Sequence, residues 1–62
     1  MCETNAFIRE AGKEEALLDS VARIRVEGDT LHLTNIFGEK KSVSGRIVEV
    51  NFQAGKVFVE RL

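Results

Sequence analysis

The residue of this sequence best suited to special chemistry is Cys2, the only cysteine of the chain. A structural cysteine normally lies within an apolar strand, whereas Cys2 is followed by the polar residues Glu3, Thr4 and Asn5. A thiol near a chain terminus is open to oxidation, so its position there calls for a role. If Met1 is retained, its amine, the Cys2 amide nitrogen and the thiolate can chelate one ion; if it is removed, the Cys2 amine and thiolate can do so. These nitrogen and sulfur donors suit Ni(II) or Cu(II) in a square plane, and an inert cysteine is the alternative.

The other reactive side chains do not predict an enzyme. The only histidine, His32, falls on the polar side of a predicted strand, as a solvent-facing residue would. Glu14 and Glu15 are adjacent, so on a strand they point to opposite faces and cannot act as an acid/base pair. No glycine-rich segment matches a phosphate-binding loop or a dinucleotide fingerprint. We therefore expect a protein without catalytic activity.

Composition argues against nucleic acid as a partner and against a membrane span. The 62 residues carry a net charge of -1, whereas proteins that bind phosphate backbones usually have a basic surplus. Lys40, Lys41 and Arg46 could form a small basic spot near Gly38, although solvated charges that protect a sheet edge are more ordinary. No apolar run is long enough to cross a membrane. The lone cysteine and the lack of a recognisable targeting signal predict a cytoplasmic protein.

The elements that would position these residues are short β-strands. Five glycines separate stretches in which apolar and polar residues alternate, which is typical of strands joined by tight turns. Six strands are predicted, at residues 5–9, 14–18, 23–27, 30–34, 41–52 and 57–60. The alternation slips between Ile47 and Val48, just after Gly45, and such a slip predicts a β-bulge or a sharp bend.

These strands predict an all-β fold, a small β-barrel of about six strands in a single domain of residues 1–62. SH3-like and OB-like barrels both fit the strands, and the absence of a long helix favours the SH3-like β-barrel. Closing the strands into a barrel would remove most of the sheet edges. A chain near 60 residues buries only about 60% of its unfolded surface, so we also expect a homodimer, with Ile36 and Phe37 as a candidate contact. The predicted core comprises Ile24, Val26, Leu31, Leu33, Val43, Val50, Phe52, Val57 and Val59.

The sequence as a whole resembles the CooT family. The resemblance rests on the start MCETNAF, on the central segment IFGEKKSVSGRI at residues 36–47, and on the glycine hairpin of residues 26–29 followed by Leu31 and Leu33. It implies a small dimeric nickel-binding protein with an SH3-like barrel, associated with the maturation of carbon monoxide dehydrogenase. The metal ligand of the family is the cysteine directly after the initiator methionine, which corresponds here to Cys2.

Two other assignments share features with this sequence. Small hydrogenase-maturation chaperones of the HypC type share the Met-Cys start, but they usually carry a proline soon afterwards, and this sequence has none. Some CooT relatives have been described as RNA-binding, so a non-enzymatic RNA- or protein-binding module is the alternative function. We expect a nickel-binding accessory protein or metallochaperone that holds Ni(II) through Cys2 and supports a nickel enzyme such as carbon monoxide dehydrogenase or its maturation factors.

Overall fold

The computed structural model describes residues 3–62, which form six β-strands. The strands are β1 (Asn5–Glu10), β2 (Lys13–Leu18), β3 (Val21–Glu27), β4 (Thr30–Asn35), β5 (Lys40–Asn51) and β6 (Lys56–Arg61). The prediction of an all-β fold with six strands is confirmed, and every predicted strand end lies within two residues of the observed one. Over residues 3–62 there is no helix that could cross a membrane.

The six strands form one sheet in the order β2-β1-β6-β5-β4-β3. The β1–β6 pair is parallel and the other four pairs are antiparallel. The twelve-residue strand β5 holds the sheet together, because residues 40–44 pair with β4 and residues 45–51 pair with β6. The β5–β6 register shifts between Ile47 and Glu49. The predicted bulge is therefore confirmed at Val48.

The sheet is not closed, because β2 and β3 are its two outermost strands. The prediction that the strands close into a barrel is therefore wrong. The reason lies in the connection between these strands, where Ser20 adopts a positive φ of 51°. The Val21 N–H donates to the Thr4 carbonyl, and the Ser20 carbonyl accepts from Ile36. The backbone groups at this corner are thus bonded to other parts of the chain, and no ladder joins β2 to β3. The SH3-like assignment itself stays a prediction.

Gly45 lies inside β5 and not in a turn, unlike the other four glycines. It is buried, and a Cβ atom at this position would collide with the carbonyl oxygen of Glu60 on β6. The Gly45 N–H also donates a 2.8 Å hydrogen bond to the Asp29 carbonyl in the β3–β4 turn. Strand β5 can therefore pass from its β4 partner to its β6 partner because this residue has no side chain.

The core prediction is confirmed in part. Leu31, Leu33, Val57 and Val59 are buried, while Ile24 and Val43 are partly buried and pack against them. The prediction is wrong for three residues, since Val26 is 61% exposed, Val50 42% and Phe52 87%. Val26 and Val50 pair with the buried Leu31 and Val57, but Val26 lies on the edge strand and Val50 near the end of β5. Phe52 lies beyond β5, in the following turn. The core also includes residues missing from the prediction: Ala6, Ile8, Leu17 and Leu18.

Phe58 is buried on the opposite face of the sheet from Val57 and Val59. Its ring packs against Phe7, with centroids 5.9 Å apart, and the Arg9 guanidinium lies 4.1 Å from its centroid. Arg9 is held over the ring by ion pairs to Glu14 and Glu49. An arginine can cover an aromatic face while its charge stays in water. Phe58 is therefore buried by the Phe7 ring and the Arg9 guanidinium, apart from the apolar core cluster.

Candidate functional site

The residues that follow the predicted metal ligand are hydrogen-bonded to two connections between strands, the β2–β3 corner and the β5–β6 turn. The Thr4 carbonyl accepts a 2.6 Å hydrogen bond from the Val21 N–H, and the Asn5 N–H donates a 2.8 Å bond to the Gly55 carbonyl. The Asn5 side-chain oxygen accepts a third bond, of 3.0 Å, from the Ser20 N–H. The chain is thus fixed from Thr4 onward, between the β2–β3 corner and the β5–β6 turn.

Gly55 brings the first described residue close to the β5–β6 turn. It is buried and has a φ of 70°, a left-handed conformation that glycine adopts without strain. A Cβ atom here would collide with the carbonyl oxygen of Glu3. Gly55 therefore has two roles. Its left-handed conformation makes the turn, and its lack of a side chain lets the backbone of Glu3, the covalent neighbour of Cys2, lie against the turn.

Cys2, the predicted nickel ligand, lies outside the described residues. Within residues 3–62, no three or more histidine, cysteine, aspartate or glutamate side chains are grouped so that they could hold a metal ion. The backbone groups that fix Thr4 and Asn5 are already hydrogen-bonded within the fold. The Thr4 carbonyl and the Asn5 N–H are therefore not free to bind a metal.

His32 lies on the outer face of β4, as predicted. Its Nδ1 is 2.9 Å from the Ser42 hydroxyl and its Nε2 is 3.2 Å from a Glu27 carboxylate oxygen. All three side chains belong to the exposed face of β3, β4 and β5, and their hydrogen bonds satisfy the imidazole ring. Sequence reasoning placed His32 correctly but did not reveal its partners, which come from neighbouring strands.

The basic residues are grouped differently from the predicted spot. Arg46 lies beyond Gly45 and forms an ion pair of 3.6 Å with Glu60 on β6. Lys40 and Lys41 point to opposite faces of β5, because they pair with Thr34 and the buried Leu33 respectively. Lys40 instead lines a depression together with Arg23 and Arg25 of β3. Alternation within β3 places both arginines on one face, but only the register with β4 and β5 brings Lys40 to them.

A family model matches nearly the whole chain. The model described as "CO dehydrogenase accessory protein CooT" matches residues 1–60. The chain belongs to the CooT family. The match includes Cys2, the anchored segment after it and all but the final residue of β6. The family description is that of an accessory protein, and this agrees with the expectation that the chain is not an enzyme.

The fold is also that of a solved CooT-type structure. The crystal structure of a protein assigned as CooT from Carboxydothermus hydrogenoformans is 33% identical to the chain, with a TM-score of 0.92. The alignment covers 98% of each chain. A comparison with curated proteins gives no match. The resemblance stated from the sequence is thus confirmed by both the family model and the three-dimensional fold.

Proposed function

We propose that this CooT-family protein is a nickel-binding accessory protein, a metallochaperone that supports the maturation of carbon monoxide dehydrogenase. The observation that carries the proposal is the family match over residues 1–60, because it covers Cys2 together with the whole fold. The protein would hold Ni(II) as its cargo and pass it to the enzyme or to another maturation factor. We place this activity in the cytoplasm, where a lone thiol stays reduced.

The donor chemistry proposed for the ion is the Cys2 thiolate together with nearby backbone nitrogen. Thiolate and nitrogen donors in a square plane suit Ni(II), whereas Zn(II) prefers a tetrahedron. The hydrogen bonds at Thr4 and Asn5 support this model, because they fix the chain just after the proposed ligand. A ligand attached to a fixed segment loses less conformational freedom when it binds.

A nickel titration of the full chain, followed by ultraviolet-visible absorption, tests the proposal. We expect a thiolate-to-nickel charge-transfer band that grows to saturation. Binding should weaken as the pH falls below neutral, because a free thiol has a pKa of about 8.5 and the ion competes with the proton. A titration without such a band would contradict nickel binding through the thiolate and would favour the alternative, an RNA- or protein-binding module.

We also propose that the protein is a homodimer whose contact includes the β5–β6 turn. Phe52, in this turn, is 87% exposed, and Val50 at the end of β5 is exposed beside it. Contiguous exposed apolar patches mark contact surfaces. The same turn contains Gly55, against which Glu3 lies. A two-fold contact here would bring together the N-terminal segments of both protomers, and two Cys2 thiolates could share one ion.

Two matched variants locate the contact. Phe37, at the β4–β5 turn, is 70% exposed and is the candidate favoured by the sequence. We expect Phe52→Ser to shift the mass in sedimentation equilibrium from about 14 kDa toward the 6.9 kDa of one chain, and Phe37→Ser to leave the dimer intact. The reverse result would assign the contact to the β4–β5 turn. A parent protein of 6.9 kDa at micromolar concentration would overturn the dimer.

A further inference from the structure

The outer face of β3, β4 and β5 contains a polar depression. Its volume is about 330 Å³, at the lower end of the range of roughly 300–1,000 Å³ for ligand pockets. We call it the basic depression. Its lining consists of Arg23, Arg25, Glu27, His32, Thr34 and Lys40.

The strand register explains why these side chains meet. Arg23 pairs with Thr34, and Thr34 pairs in turn with Lys40 on the next strand. Neighbouring strands are about 4.8 Å apart, so the backbones of the two cations lie about 10 Å apart with the short Thr34 side chain between them. Arg25 stands two residues along β3 on the same face. Three cationic side chains thus surround a floor that presents a hydroxyl group.

The charge of the basic depression is opposite to that of the chain as a whole. The chain has a net charge of -1, yet the depression gathers three cations and a single carboxylate. That carboxylate, on Glu27, lies 3.2 Å from the His32 ring. The ion pairs formed within residues 3–62 involve Arg9, Arg46 and His32, and none of them includes Arg23, Arg25 or Lys40. The charge of these three cations is therefore available to an anion.

We propose that the basic depression binds a phosphate group, either as inorganic phosphate or on a small phosphate monoester. Guanidinium forks match the oxygens of phosphate in pairs, and a lysine adds a point charge. Thr34 supplies a hydroxyl donor between Arg23 and Lys40. The concave shape and the lack of phenylalanine, tyrosine or tryptophan in its lining favour a small anion over a nucleic-acid strand, whose bases would need a stacking surface. This inference is independent of the nickel site.

A titration with inorganic phosphate, followed by 1H–15N correlation spectra at fixed pH and ionic strength, tests the inference. We expect saturable shifts of the amides of Arg23, Arg25, Thr34 and Lys40, with a Kd in the millimolar range or below. Lys40→Gln should raise the Kd about fivefold to tenfold, because one charge-assisted contact is lost. A parallel titration with methyl phosphate separates the two sources, since the tighter ligand of the two indicates the natural form of the group.

Lys41→Gln is the matched control, because it removes the same charge from the adjacent position on the opposite face of β5. We expect it to leave the Kd unchanged within about twofold. Equal weakening by both variants would mean that phosphate responds only to net charge, and this would overturn the site. The absence of saturable shifts at these amides up to tens of millimolar phosphate would also overturn it. The site would also be overturned if the protein bound a single-stranded oligoribonucleotide but did not bind phosphate.

Discussion

Replacement of Cys2 by serine is expected to abolish the charge-transfer absorption of the nickel-loaded protein and to weaken nickel binding more than about 100-fold. Loss of an outer-shell partner already costs about 10- to 100-fold in metal affinity, and Cys2→Ser removes the proposed ligand itself. A serine hydroxyl is a hard and largely protonated donor, whereas the thiolate is the soft ligand that this chemistry requires. Isothermal titration with Ni(II), together with ultraviolet-visible spectra, measures both effects.

The control for this variant is His32→Gln. His32 is bonded to Ser42 and Glu27 on the outer face of β4, and the nickel proposal assigns it no role. Nickel affinity should therefore stay within about twofold of the parent value. Nickel binding that survives Cys2→Ser but is lost in His32→Gln would show that the site has been assigned to the wrong residue. Circular dichroism of Cys2→Ser should match that of the parent, because Cys2 lies outside the predicted core.

Stoichiometry and pH separate a shared ion from two independent ones. If two protomers supply one thiolate each to the same Ni(II), saturation comes at one ion for every two chains. Each thiol that loses its proton on binding makes the apparent affinity fall about tenfold for every pH unit below the thiol pKa. Two thiols on one ion would double this slope. A ratio of one ion per chain, with half of the slope expected for the shared ion, would contradict the shared site while leaving Cys2 as the ligand.

Gly45→Ala is expected to lower the free energy of unfolding by about 1–3 kcal/mol or more, since this is the usual cost of inserting a methyl group into a packed site. The new Cβ would meet the backbone carbonyl of Glu60, and a strand backbone cannot move aside as a side-chain end can. Relief would require β5 and β6 to separate beside the Val48 bulge. Urea denaturation at fixed protein concentration gives the midpoint and slope from which the loss is calculated.

Ser44→Ala is the matched control for the Gly45 variant. Ser44 is the exposed neighbour of Gly45 on β5, and its carbonyl, which accepts a hydrogen bond from Leu62, is retained in alanine. Its effect should stay within about 0.5 kcal/mol, as for other surface substitutions. A Gly45→Ala protein as stable as the control would mean that β5 passes between its two partners without the close contact to Glu60.

The strands and their turns were determined by the local sequence. Leu31 and Leu33 alternate with polar neighbours, and this period of two residues is that of a β-strand. The pair Gly28-Asp29 suits a two-residue turn. The bulge at Val48 was also readable, because a bulge reverses the phase of alternation in the sequence itself. The family membership was likewise carried by the residues alone, in the segments at the start and centre of the chain.

The depth of burial was decided only by the tertiary structure. Alternation tells which face of a strand a residue is on, but not whether another element covers that face. Val26 and Leu31 are directly paired on β3 and β4, yet one is exposed and the other fully buried, because β3 is an edge strand. Phe58 gives the opposite case, since Arg9 and Phe7 bury it on the face opposite to that of Val57 and Val59.

The residues that surround the candidate sites likewise could not be predicted from the sequence. The hydrogen bonds that fix Thr4 and Asn5 come from Val21, Gly55 and Ser20, which are distant in the chain. Lys40 joins Arg23 and Arg25 only because β4 pairs with both β3 and β5 in a particular register. A shift of that register by one residue would turn Lys41 to this face in place of Lys40. Residue types could therefore suggest the chemistry, but long-range strand pairing decides which charges meet.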